Sequence, residues 1–139
     1  MIDPELVSRK LKLISEYTAA LDKIFSASTN EEILADYLKY HTAERLFQLV
    51  VDVMIDINVH IIRAKNIIPP DDFESTFITL GKCQVLTDDF ALHIAPVVGL
   101  RNRVVHRYES LQHNQFVAEL RKNLSDFKQF AVYIAKLLK

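Results

Sequence analysis

Glycine is almost missing from this chain, with two in 139 residues, and proline is modest at four. That scarcity argues against a turn-rich all-β fold and against disorder. The single cysteine, Cys83, excludes an intrachain disulfide. It has no Cys or His companions at ligand spacing, so it reads as a structural residue in a reducing compartment. Charge of one sign is also lacking: the net charge is −1. No global basic excess announces a nucleic-acid binder, and any such contact has to come from a local patch. Long hydrophobic runs are absent too, because Asp52, Asp56 and His60 interrupt the best candidate before it reaches membrane-spanning length. The opening Met1-Ile2-Asp3-Pro4 does not read as a signal peptide. A cytoplasmic protein without membrane contact is expected.

What is present is apolar surface at helical spacing. Half the residues are hydrophobic, enough to bury a core without staples, and the length fits one domain over 1–139. Asp3 as N-cap, Pro4 in the first turn and Glu5 beside it start a first helix. Leu6, Leu13, Ile14, Tyr17, Leu21, Ile24 and Phe25 recur along it. After Ser26-Ala27-Ser28, Thr29 with Glu32 makes a capping box for a second helix running to about Lys65. Its first half is amphipathic through Ile33, Leu34, Tyr37 and Leu38. Its second half is apolar nearly all round, so neighbouring helices and a subunit partner are expected to share its burial. Asp71-Asp72 caps a short helix stopped by Gly81. A further piece follows, with Thr87 as cap. Pro96 opens the next helix and pushes Ala95 out of the α region. Asn114 is the candidate cap of the last helix, whose buried face is marked by Phe116, Leu120, Leu124, Phe127, Ala131, Ile134 and Leu138. No strand pattern competes. The fold class is all-α, an up-and-down bundle of about five helices.

The richest chemistry lies in Arg101-Asn102-Arg103-Val104-Val105-His106-Arg107-Tyr108. Arginine binds phosphate in a bidentate fork, and histidine moves protons near neutral pH. On a helix Arg101 has Val97, Val98, Val104 and Val105 as its i±3 and i±4 neighbours, so it sits on the apolar stripe. A desolvated guanidinium needs a partner. Two readings of Arg101 stand: a phosphate site, or a pair with an internal carboxylate, Asp52 or Asp56. Asn102 and His106 are four apart, so the amide can orient the imidazole. Arg103 and Arg107 fall on a more exposed strip and are ordinary solvated residues or a wider RNA footprint. Arg101 and His106 lie roughly 140° apart around a helix and about 7.5 Å along it, awkward for one chain gripping one phosphate. A two-fold homodimer with two copies of the helix end in one cleft relieves this. Asp52, Asp56 and His60 form a polar stripe. It offers no fourth metal ligand and reads as a strip facing solvent or pairing with Arg101. Asp56 is the candidate supporting carboxylate. His41, His93 and His113 read as surface or loop residues.

Arg101-x4-His106-x-Tyr108 resembles the R-x4-H-x-Y motif of HepT-type toxins, small helical proteins of the HEPN superfamily. Asp56-Ile57-Asn58-Val59-His60-Ile61-Ile62 resembles that family's D-I-x-x-H-I-I pattern, and Pro69-Pro70 with Phe73 and Phe77 sits where the family has its linker and short helix. The resemblance spans nearly the whole chain. It implies a homodimeric, metal-independent ribonuclease without cofactor, the toxin of a type VII-like toxin–antitoxin pair. Its partner would be an MntA-type nucleotidyltransferase antitoxin that adds AMP to the motif tyrosine, here Tyr108. Arg101 and His106 would be catalytic and Asn102 supporting. Two other functions are weighed against this: a non-catalytic helical module that binds a nucleotide or a nucleotidyltransferase, and a purely structural dimer. The complete Arg, His and Tyr set favours the ribonuclease, since a passive phosphate clamp has no use for a titrating imidazole.

Overall fold

A computed structural model describes residues 1–139. The chain is all helical. Seven α-helices run in the order α1 (Pro4–Ala27), α2 (Asn30–Ala35), α3 (Tyr37–Ala64), α4 (Glu74–Lys82), α5 (Asp88–Ile94), α6 (Val97–His106) and α7 (His113–Leu137), with a 3-10 turn at Tyr108–Ser110 between the last two. The long helices α1, α3 and α7 form the bundle, the short α4 and α6 pack beside α3, and α5 packs on α4. No helix is long and apolar enough to cross a membrane.

Local signals start most of these helices. The Asp3 carboxylate accepts from the Glu5 and Leu6 N–H groups, with Pro4 in the first turn. Thr29 and Glu32 close both halves of a capping box. The two hydrogen bonds from Thr29 hold the Glu32 carboxyl below its usual range. Thr87 caps α5 through the Phe90 N–H.

Four boundaries differ from expectation. The predicted second helix is two helices, because Asp36 is extended and its side chain caps a new start at the Lys39 N–H. The break changes the helical phase, so Tyr37 and Leu38 point to solvent although Ile33 is buried. Gly81 does not stop α4 but lies inside it, and the left-handed residue past its end is Gln84. Ala95 stays in the α region despite Pro96, so α5 passes into α6 through a helical turn in which Val98 and Gly99 N–H groups bond to the Ala95 and Pro96 carbonyls. Asn114 is not a cap; Gln112 holds that position and makes no side-chain cap bond.

Gly81 is there for space. A Cβ at this position would stand 2.7 Å from the Ala91 Cβ, where α4 meets α5. Two Cβ atoms on packed helices cannot swing apart as flexible side chains do. Gly81→Ala is therefore expected to destabilise the fold by about 1–3 kcal/mol through overpacking, against the smaller helical advantage of Ala. Thermal unfolding checks it, and an unchanged or raised melting temperature contradicts the reading.

The core is continuous. Phe47 of α3 meets Phe116 and Phe127 of α7 at ring-centroid distances of 5.2 and 6.2 Å, and Phe77 of α4 meets Phe130 of α7 at 5.8 Å. In the second half of α3, Val50, Val51, Val53, Met54, Ile55, Ile57, Ile61 and Ile62 are buried within one chain. A subunit partner is not needed to cover that stretch, contrary to expectation, because α1, α4 and α6 all pack on α3.

Candidate functional site

The geometry of α6 starts with its entry. Pro96 sets the first turn, Val97, Val98 and Leu100 anchor the helix in the core, and the chain leaves the helix at Arg107. Arg101 is carried on the flank of that buried face, with its side chain 16% exposed. Its Nε donates to Asp52 Oδ1 at 2.9 Å and its Nη1 to Asn102 Oδ1 at 3.2 Å. The internal-carboxylate reading of Arg101 therefore holds as a contact, and the carboxylate is Asp52. Asp56 instead accepts from Lys10 at 3.1 Å. His60 Nε2 accepts from the Asp3 N–H at 3.0 Å. The stripe Asp52, Asp56 and His60 thus parts to three different partners. Helical periodicity placed the three on one face without telling which of α1 and α6 would meet each.

The Asp52 contact does not consume Arg101. A guanidinium has five N–H donors in a fixed fork. Asp52 takes Nε, Asn102 takes one hydrogen of Nη1, and the Nη2 edge has no protein partner. Asp52 thus fixes the plane of the guanidinium while the outer edge stays available to an anion.

Arg101 lines a groove together with Asn102, His106 and Arg107 from the end of α6 and with Asp71, Asp72, Phe73 and Glu74 from the start of α4. One chain brings Arg101 and His106 to the same groove, so their angular separation on the helix does not by itself require a second subunit. His106 is exposed. Asn102 is hydrogen-bonded to Arg101 and not to His106, the partner its spacing predicts. Arg103 does not join this groove. It lines a different one, between α5–α6 and α7, with Gln112, Gln115 and Lys122.

Tyr108 is not among the groove's lining residues. The helix ends at His106, and Arg107 turns the chain into the 3-10 segment, so Tyr108 does not continue the α6 helix face. The Tyr108 ring instead meets His113 edge-on at 5.5 Å, and His113 stacks on Tyr40 at 4.9 Å. His113, expected to be a bystander, is the ring between two tyrosines. The Tyr40 hydroxyl and Glu44 Oε2 are buried without hydrogen-bond partners, while Glu44 Oε1 meets His41 at 3.2 Å. Burial first, then the Glu44 carboxylate, holds the Tyr108 phenol above its usual range. Burial and the same carboxylate push Tyr40 up further. Tyr108 therefore carries its proton at neutral pH. Sequence reading missed Tyr40, Glu44 and His113. Tyr37, Tyr40, His41 and Glu44 share a helix face by spacing, but nothing in the sequence linked that face to Tyr108.

Residues 14–134 match the family described as ribonuclease HepT-like. The chain is 36% identical over 137 residues to a tRNA nuclease HepT of Aphanizomenon flos-aquae, covering 98% of this chain and 90% of the relative. It is 31% identical over 83 residues to an mRNA nuclease HepT of Shewanella oneidensis, covering 60% of this chain and 62% of that one. Its fold is similar to a tri-AMPylated Shewanella oneidensis HEPN toxin solved in complex with MNT antitoxin, with a TM-score of 0.86 at 24% identity over 98% of this chain and 99% of that one.

Proposed function

Because the chain belongs to the HepT-like ribonuclease family, we propose that it is the toxin of a toxin–antitoxin pair, cleaving RNA in the groove at the end of α6. One observation carries the reading. Arg101, clamped by Asp52 and Asn102 with Nη2 left unpaired, lines the same groove as His106.

RNA supplies its own nucleophile, the 2′-hydroxyl. Its oxygen attacks the adjacent phosphorus, the bond to the 5′-oxygen breaks, and a 2′,3′-cyclic phosphate and a 5′-hydroxyl result. His106 takes the proton from the 2′-oxygen or gives one to the departing 5′-oxygen. In a homodimer whose grooves meet, the second His106 takes the other role. Arg101 neutralises the charge that builds on the equatorial oxygens. Asn102 holds Arg101 in place, and Arg107 at the groove edge adds a phosphate contact. Arg103, facing elsewhere, is an outlying contact at most. Arginine supplies the positive charge, so the step needs no metal.

The test is incubation of the purified protein with defined RNAs in EDTA. The expected products carry 2′,3′-cyclic phosphate and 5′-hydroxyl ends, and intact RNA at high enzyme concentration rejects the reading.

Regulation follows from Tyr108. A nucleotidyltransferase antitoxin adds AMP when the phenol oxygen attacks the α-phosphorus of a nucleoside triphosphate, with pyrophosphate leaving and the phenolic proton passing to a base. The added phosphate stands one residue from Arg107 and competes with RNA for the groove cations. Tyr108→Phe removes the attacking oxygen. Labelled AMP transferred by the antitoxin to wild-type protein is expected to be absent from the Phe variant, and equal labelling of both moves the modification elsewhere.

A further inference from the structure

The groove has two unlike sides, and only the cationic one is used by the chemistry above. We propose that the other side is a nucleobase subsite in which the Phe73 ring is the stacking platform for an unpaired base next to the scissile phosphate. The proposal rests on the ribonuclease reading for its substrate class, and on separate observations for the site.

The first observation is the ring itself. Phe73 is 49% exposed and lines the same groove as Arg101, Asn102, His106 and Arg107. The second is how firmly it is held. The Phe73 carbonyl accepts from the Thr76 N–H at 3.1 Å and from Thr76 Oγ1 at 2.6 Å. Thr76 is buried, and its hydroxyl accepts from Nδ2 of the fully buried Asn58 at 3.1 Å. On the other side, Asp72 accepts from the Ser75 N–H at 2.8 Å and from its hydroxyl at 2.9 Å. These bonds tie the residues flanking the ring to the core, although the ring faces water. An aromatic face set on a fixed backbone loses little entropy when a planar base covers it.

Charge supplies the third observation. Arg101, His106 and Arg107 come to the groove from the end of α6, and Asp71, Asp72 and Glu74, the chain neighbours of Phe73, come to it from the start of α4. The Ser75 hydrogen bonds hold the Asp72 carboxyl below its usual range, so it stays ionised. Carboxylates repel a phosphate, so the RNA backbone cannot run along the α4 side. They accept hydrogen bonds from the exocyclic amino groups of bases. The groove thus sorts a nucleotide by its parts, phosphate towards α6 and base towards Phe73. Stacking needs an unpaired base, so the substrate is single-stranded or a loop. Adenine, cytosine and guanine, which carry amino groups, are favoured over uracil.

The experiment uses short single-stranded RNAs with one base replaced by 2-aminopurine, whose fluorescence falls on stacking. Binding is read on the full-length His106→Ala protein so that the probe is not cut. Quenching is expected there, retained with Phe73→Tyr added and lost with Phe73→Ala added, alongside about a 10- to 100-fold weaker affinity. In protein with His106 intact, Phe73→Ala is expected to lower kcat/KM by a similar factor and to flatten the preference against uridine-only RNA. Equal quenching with and without Phe73 overturns the subsite. So does a Phe73→Ala variant whose sole change is weaker self-association, which makes the ring a subunit contact. Failure of the ribonuclease reading has a separate signature: wild-type protein leaves every RNA intact while Phe73-dependent quenching persists.

Discussion

His106→Ala is expected to lower RNA cleavage by about 10²–10⁴-fold, the span that one proton-transferring side chain contributes. The same change is expected to leave the melting temperature within about 2 °C of wild type. His106 is exposed and is the last residue of α6, so its removal opens no cavity and strands no buried group. That separation of activity from stability is what distinguishes a reacting group from a packed one. Single-turnover cleavage of a defined RNA in EDTA, with unfolding monitored beside it, decides the matter. Cleavage at the wild-type rate assigns the chemistry to another residue. A large fall in melting temperature makes the lost activity uninformative. Arg101 does not offer so clean a test, because its removal leaves Asp52 half-buried without its cation and so moves activity and stability together.

The second large effect concerns stability. Arg121→Ala is expected to cost about 3 kcal/mol, since hydrogen bonds from a charged donor are each worth about 1.5–3 kcal/mol and the abandoned carbonyls lose their partners. For a domain of this size that is a fall of about 10 °C in melting temperature. Arg121 of α7 reaches across the bundle to the end of α1. Its Nη1 donates to the Phe25 carbonyl at 2.9 Å, Nη2 to the Ser28 carbonyl at 2.9 Å and Nε to Asn30 Oδ1 at 2.7 Å. The guanidinium also lies 4.8 Å from the centroid of the Phe25 ring. Two of these bonds satisfy carbonyls at the C-terminal end of α1, a place where helices leave acceptors without partners. Arg121→Lys tests whether the fork matters: a compact ammonium cannot serve three acceptors in a plane, so Lys is expected to recover less than half of the loss. A shift below about 2 °C for the Ala variant defeats this account.

Helix starts at Asp3-Pro4, Thr29-x-x-Glu32, Thr87 and Pro96 were legible because each is a short-range device. The capping oxygen and the N–H it accepts lie within a few residues, so contiguous sequence contains the whole interaction. The residues Asp36, Gly81 and Ala95 were not legible for the opposite reason. Asp36 reads equally well as a solvent-facing helix residue. Gly81 reads as a helix stop by local pattern, whereas its purpose, the approach of Ala91, lies on another helix. Ala95 obeys the demands of a buried position over the weaker local preference of a residue before proline.

The functional site divides in the same way. The residue types for phosphate chemistry are contained in one run of eight residues, where order alone names the guanidinium, the imidazole and the phenol, and the family resemblance adds the Asp56–Ile62 run to it. Which carboxylate holds Arg101 is not. Asp52 and Asp56 lie one helical turn apart, about 6 Å along the axis, and are equivalent by pattern. The crossing of α6 over α3 selects Asp52 and leaves Asp56 to Lys10. The packing of α4 beside α6 puts Phe73 and Arg101 in one groove, and the chain beyond Arg107 turns Tyr108 onto His113. Sequence determined the helices and the chemical inventory, because both depend on neighbours in the chain. Tertiary structure decided the partners, because a pairing across 49 residues is set by how the apolar faces of whole helices seat against each other.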